Sequence, residues 1–235
     1  MTTGESRGSS RSFTSICTSI FGRTCPELAE KARTAFEYGT DLVEFRLDYL
    51  RSQSFDEIKT GLEEFIERSV LTVRPRAEGG RFRRSEPERL DLIHSLVELK
   101  APFVDVELKT VEGDHGLSLT KKGGHLIVSW HDWSGTPDKQ RLLSVLRRAA
   151  AFGIPKIVTA ARAAEDNLSI LSLYDDRRRP SPIAFCMGEK GTLSRVMAIE
   201  RGSPICYASL PGEPTAPGQL VVGQAVAIRR LLQGD

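Results

Sequence analysis

The feature that most constrains the fold is an alternation repeated eight times along the chain. Short apolar or β-branched runs occupy 13–21 (FTSICTSIF), 41–47 (DLVEFRL), 69–74 (SVLTVR), 103–108 (FVDVEL), 125–131 (HLIVSWH), 156–161 (KIVTAA), 182–187 (PIAFCM) and 204–210 (PICYASL). Between them lie amphipathic segments of helical period, among them 26–39 (PELAEKARTAFEYG), 55–68 (FDEIKTGLEEFIER) and 137–153 (PDKQRLLSVLRRAAAFG). The first kind predicts strands and the second helices. Pro26, Ser85 with Pro87, and Thr136 with Pro137 mark helix starts, while Gly39 and Gly153 mark helix ends. Only the connection 109–124 lacks a clear helical pattern. Strands joined in sequence by helical crossovers pair in parallel. Eight such units in 235 residues predict a compact α/β fold, the (β/α)8 barrel. An open doubly wound sheet is the alternative, but its G-x-G-x-x-G turn does not follow the first run.

Composition narrows the function classes. With 33 basic and 31 acidic residues the net charge is +2, which gives no general attraction to nucleic acid or an anionic membrane. No apolar stretch approaches the ~20 residues of a membrane helix. The polar start, MTTGESRGSSRSF, has no signal-peptide core, so a cytoplasmic protein is expected. Residues 1–12 read as a disordered tail and 13–235 as a single barrel domain. Cys17, Cys25, Cys186 and Cys206 form no C-x-x-C pair, and three of them lie in apolar runs. They read as reduced structural thiols.

In a barrel, chemistry collects at the C-terminal ends of the strands. Run 2 carries Glu44 and Arg46 on one face, and run 3 ends in Arg74 before the loop Pro75-Arg76-Ala77-Glu78-Gly79-Gly80. Run 4 holds Asp105 and Glu107, run 5 ends in His131-Asp132, and run 6 opens with Lys156. Glu189, Lys190 and Arg195 follow run 7, and Thr215-Ala216-Pro217-Gly218-Gln219 follows run 8. Singly, each has a structural explanation. Glu44 and Arg46 can pair, a lysine or arginine can snorkel, and Arg76, Arg81, Arg83, Arg84 and Arg89 read as a solvated face. Their convergence on one mouth favours a site, because burying so much charge for stability alone is costly. The sequence has no phosphate-cradling P-loop and no H-x-x-x-H or paired aspartate cluster for a metal. Arginines suggest a carboxylate substrate held by bidentate forks. A lysine with a histidine nearby suggests a carbonyl, with the amine forming a Schiff base and the imidazole moving protons.

The segments VEFRLDYL (43–50), LTVRPRAEGGRF (71–82), FVDVEL (103–108), IVSWHDWSGTP (127–137), PKIVTAA (155–161), MGEKGTLSRV (187–196) and TAPGQL (215–220) together resemble the type I 3-dehydroquinate dehydratases of the shikimate pathway. The resemblance implies a (β/α)8 barrel, active as a homodimer, that converts 3-dehydroquinate to 3-dehydroshikimate through a lysine imine without metal or cofactor. By resemblance, Lys156 is the Schiff-base lysine, His131 the acid/base group and Glu78 the carboxylate that orients it. Arg195 is similar to the clamp on the substrate carboxylate, while Glu44, Arg46 and Arg74 match positions of the hydroxyl contacts and interior charge network. Gln219 matches a residue of the closing loop after strand 8, and Ser19 a further substrate contact.

Two departures stand out: Thr215 where a serine is expected, and Trp133 where a phenylalanine is expected. Lys156 also begins its run, although the mouth is at strand ends, so strand 6 is expected to start earlier or sit high in the barrel. Cations such as Arg46 or Arg195 are expected beside the amine, favouring its neutral form. Loop 211–218, with Pro211, Pro214 and Pro217, reads as a lid over the site. The chain ends soon after its eighth helical segment and reads as monofunctional. Two rivals are a class I aldolase, which would want a phosphate site after strands 7 and 8, and a metabolite-binding module that does no chemistry.

Overall fold

The computed structural model describes residues 13–113, 119, 126–175 and 181–234. The expected tail 1–12 and most of the patternless connection lie outside them. The eight runs form β1 (Ser15–Ile20), β2 (Leu42–Arg46), β3 (Ser69–Thr72), β4 (Phe103–Glu107), β5 (Leu126–Asp132), β6 (Ile154–Ala160), β7 (Ile183–Met187) and β8 (Ile205–Ser209). Every ladder between them is parallel, in the order β7-β6-β5-β4-β3-β2-β1-β8. Among the described residues β7 and β8 share no ladder, so the curled sheet closes there by other means. Phe185 and Met187 of β7 join Ile205 and Tyr207 of β8 in one interior cluster. Above them the Gly188 N–H donates to the Pro217 carbonyl at 3.0 Å. Gly218 makes that approach possible. Its φ is +70°, and a Cβ there would stand 2.3 Å from the Gly188 oxygen.

The inner face grades from apolar to polar along each strand. Cys17, Val70, Ile127, Ile183 and Ile205 pack at the base. Two residues further on, the alternation of the strand brings Ser19, Thr72, Ser129, Phe185 and Tyr207 to the same face. The larger core lies outside the sheet, between strands and helices, where α1 (Cys25–Glu37) buries Leu28, Ala32 and Ala35. The other helices are α2 (Phe55–Leu62), α3 (Glu86–Val97), α4 (Leu108–Val111), α5 (Lys139–Ala150), α6 (Asp166–Leu171), α7 (Thr192–Glu200) and α8 (Val222–Gln233). None of the described helices is long and apolar enough to cross a membrane. Cys17, Cys186 and Cys206 are buried free thiols, and Cys25 is half-buried at the start of α1.

Several boundaries differ from the sequence reading. Strand β6 opens at Ile154, which makes Lys156 its third residue, facing Ser129 of β5 across the ladder. Helix α5 starts at Lys139 rather than at Thr136, because the Asp138 carboxylate accepts the Arg141 N–H at 2.8 Å and caps it. The Thr136 hydroxyl instead meets that of Thr159 at 2.8 Å. The last amphipathic segment first lays Leu220–Val221 beside β8 as a short strand β9 and turns helical only at Val222. The run 55–68 leaves the α-helix after Leu62 for a 3-10 turn, Glu63–Arg68.

Candidate active site

Ten of the residues singled out from the sequence line one cavity at the C-terminal end of the barrel: Ser19, Glu44, Arg46, Arg74, Glu78, His131, Lys156, Arg195, Thr215 and Gln219; Asp132, Glu189 and Lys190 do not. Strand β6 delivers Lys156 from below, its side chain rising into the layer beneath the mouth. Its Nζ donates to Asp105 Oδ2 at 2.9 Å and stands 3.6 Å from Glu44 Oε1. The groups touching the amine are therefore carboxylates, not the cations expected. A ring lies against it too, with Nζ 3.8 Å from the centroid of Tyr207.

Both carboxylates are held ionised. Asp105 accepts from Arg74 Nη2 at 2.7 Å and from the Ser129 hydroxyl at 2.6 Å. Burial alone would raise its carboxyl, but Arg74 and Lys156 overcome burial and hold it well below the usual carboxylate range. Glu44 accepts from the Ser19 hydroxyl and, at 2.9 Å, from that of Thr72. Burial again acts upward, and Lys156 and Arg46 carry the net shift downward. Arg74 also donates to Glu107 at 2.6 Å, and Glu107 in turn accepts from Arg89 at 2.8 Å. Arg89 is thus no part of a solvated face. It is 1% exposed and ties α3 to the Val73 carbonyl and to Glu107. The structural alternative, a pairing of Glu44 with Arg46, is not what forms: Arg46 instead makes a bidentate fork to Asp48, both bonds 2.9 Å.

At the rim, His131 Nδ1 lies 3.0 Å from Glu78 Oε2. Glu78 sits in a 3-10 turn, Arg76–Glu78, stopped by Gly79 at φ +79°. Gly80 follows, where a Cβ would come within 2.0 Å of the Arg74 carbonyl oxygen, so only glycine lets the loop fold back on β3. Trp133 stacks beside His131, centroids 6.4 Å apart and planes 19° from parallel. Burial, reinforced by the charges of Arg74 and Lys156, pushes the His131 imidazole well below its ordinary value. Burial raises the Glu78 carboxyl to about 7 against the pull of Arg74.

Arg195, on α7, is 3% exposed and lies over the Phe185 ring at 4.3 Å. Its Nη2 reaches the Pro217 carbonyl at 3.4 Å, and its Nε has no hydrogen-bond partner among the described residues. Burial brings its guanidinium down to about 10. A buried cation with no acidic partner is costly to keep, and a carboxylate entering the cavity would complete it. Across the seam, Gln219 Oε1 accepts both the N–H and the hydroxyl of Thr215 at 2.9 Å, while its Nε2 donates to the Ala208 carbonyl. Among the described residues no cluster of three or more His, Cys, Asp or Glu is placed to hold a metal ion.

Residues 16–235 match the family model of type I 3-dehydroquinase. The chain belongs to this family. Among its relatives, the 3-dehydroquinate dehydratase of Methanococcus maripaludis (strain S2) is 35% identical over 225 residues, covering 92% of this chain and 99% of its own. The crystal structure of the Aquifex aeolicus VF5 3-dehydroquinate dehydratase superposes with a TM-score of 0.80 at 30% identity, over 94% of this chain and 100% of that one. That of Geobacillus kaustophilus HTA426 gives 0.84 at 26%, over 94% and 91%. The enzyme is accordingly a hydro-lyase, and dehydration in the shikimate pathway is the activity its family carries.

Sequence reading gives no role to five residues that the enzyme places at or under the cavity. Asp105 and Glu107 were noted as a pair but given no part. Ser129 carried an available signal, since it lies two residues before His131 on the same strand face. Tyr207 sits in a run that looks wholly apolar, and only its phase, two residues from Ile205 of the interior, marks it as facing inward. Arg89 was hidden by its neighbours Arg81, Arg83 and Arg84, which are exposed.

Proposed function

We propose that the enzyme dehydrates 3-dehydroquinate through an imine on Lys156, with His131 as the acid/base group and Arg195 as the anchor of the substrate carboxylate. The observation that carries this reading is the sharing of one cavity by a buried amine, a neutral imidazole paired to a carboxylate, and a buried guanidinium with no acidic partner among the described residues. Lys156 lends one proton to the neutral His131 imidazole, the amine so freed adds to the ketone carbon, and return of that proton as the carbinolamine loses water leaves a protonated imine. Its nitrogen draws electrons from the adjacent C–H bond, so His131 Nε2 takes that proton and the electron pair moves into an enamine. The enamine expels the β-hydroxyl as the imidazolium returns its proton, so that water leaves. A second water then hydrolyses the conjugated imine, freeing 3-dehydroshikimate and the amine.

Glu78 supports this cycle by accepting from His131 Nδ1–H, which leaves Nε2 bare toward the substrate. Glu44, Arg46 and Ser19 offer charged and hydroxyl contacts to the ring hydroxyls, and Thr215 with Gln219 forms a lid that trades its internal hydrogen bonds for ligand contacts. Closing that lid excludes water and protects the imine. The reading includes a cytoplasmic homodimer that needs no cofactor. Mixing the protein with 3-dehydroquinate and following the ultraviolet absorbance of the conjugated enone tests it. A rising signal that Lys156→Met abolishes is expected; no signal at any pH would instead favour a metabolite-binding module.

A further inference from the structure

Tyr207 has no part in the scheme above, yet it touches the reacting nitrogen. It comes from β8, is 4% exposed, and presents its ring face to Lys156 Nζ at 3.8 Å from the centroid. Its hydroxyl has no hydrogen-bond partner among the described residues. A buried unpartnered hydroxyl is destabilising, so the position is not explained by hydrogen bonding, and the ring is the part of the side chain with a defined contact.

The chemistry of an imine makes that contact consequential. An ammonium has three N–H donors, and here Asp105 at 2.9 Å and Glu44 at 3.6 Å stand ready for them. A protonated imine keeps the positive charge but has one N–H. Hydrogen bonding to the pair of carboxylates must therefore weaken when the carbon–nitrogen bond forms. The attraction of a cation to a ring face needs no N–H and survives the change. We propose that Tyr207 is a positioning residue for Lys156, whose ring face holds the nitrogen in line and supports the positive charge of the imine after two of its three donors are gone.

This inference rests on the imine reading, and its test separates the two. Tyr207→Phe, Tyr207→Leu and a series replacing Tyr207 by phenylalanines of increasing fluorination would be assayed for kcat, KM, thermal midpoint and the adduct trapped by borohydride with 3-dehydroquinate. Fluorination weakens the ring face at nearly constant shape, so the series is informative even where the leucine variant fails to fold. Expected are near-normal kcat for Tyr207→Phe, a fall of about tenfold in kcat for Tyr207→Leu, and a stepwise fall with fluorine count. KM and thermal midpoint should change little along the fluorinated series. Adduct in the wild type, combined with a kcat indifferent to fluorination, would overturn the role of Tyr207 alone. A phenylalanine variant as slow as the leucine variant would do the same, by shifting the role to the hydroxyl. Turnover without any adduct in the wild type would overturn the imine reading beneath it.

Discussion

Two residues set the pH response of the site. His131 is held neutral by burial and by the cations beneath it, while Glu78, 3.0 Å from its Nδ1, is raised to about 7. Above that pH the ionised carboxylate accepts Nδ1–H and leaves Nε2 free to take a proton. Below it the protonated carboxyl donates to Nδ1, which moves the ring hydrogen to Nε2 and removes the base. Activity should therefore rise with pH through a limb near 7 that belongs to the pair. Measured as kcat/KM from pH 5 to 9, the limb should vanish in Glu78→Gln, whose amide oxygen still accepts Nδ1–H, with kcat lowered about tenfold. A limb unchanged in that variant would assign it elsewhere. His131→Ala should lose turnover by about 10²–10⁴-fold and still form the imine, visible as a borohydride-trapped adduct; near-normal turnover would remove His131 from its role.

In the proposed mechanism the loop between β8 and β9 is the element that closes the site. Thr215 and Gln219 are bonded to one another, and Pro217 bridges to Gly188 at the β7–β8 seam, where the described residues form no ladder. Lys31 also donates to Glu213 of this loop at 2.6 Å, so a lid here must exchange existing bonds for ligand contacts. Hydrogen exchange of 211–220 should slow when a substrate analogue is bound, and equal protection in both states would make it a rigid connection. Elements were legible in proportion to how local their signals are. The eight strands and their parallel order follow from alternation and connection length, which act within a few residues. The start of α5 was misplaced because Thr136-Pro137 and Asp138 are both good starts, and the contact of Thr136 with Thr159, 23 residues away, settles between them. Lys156 looks like a strand opener because Gly153 and Pro155 on either side of Ile154 interrupt its β signal. Pairing with Ile127 and Val128 on β5 makes Ile154 and Pro155 strand.

Across the molecule five of the buried charges form one chain, Arg89–Glu107–Arg74–Asp105–Lys156, running from a helix on the outside to the Lys156 amine. Its far end is structural, and in the proposed mechanism its near end is chemical. The site residues were readable because their types and strand ends coincide, but the chain joining them was not, since no short-range pattern shows that an arginine of α3 reaches β4. Arg89→Met should leave Glu107 Oε2 without its charged partner while Arg74 still holds Oε1, and destabilise the fold by about 1–3 kcal/mol, read as a drop in denaturation midpoint, while the folded fraction keeps KM within about twofold. A variant as stable as the wild type would mean that Arg89 is dispensable to the chain. The central claim is the imine on Lys156, and its most direct measurement is borohydride reduction of the protein turning over 3-dehydroquinate, followed by peptide mass mapping. A single reduced adduct on the peptide that contains Lys156, absent in Lys156→Met together with activity, is the predicted result. Full turnover with no adduct, or an adduct on another lysine, would contradict it.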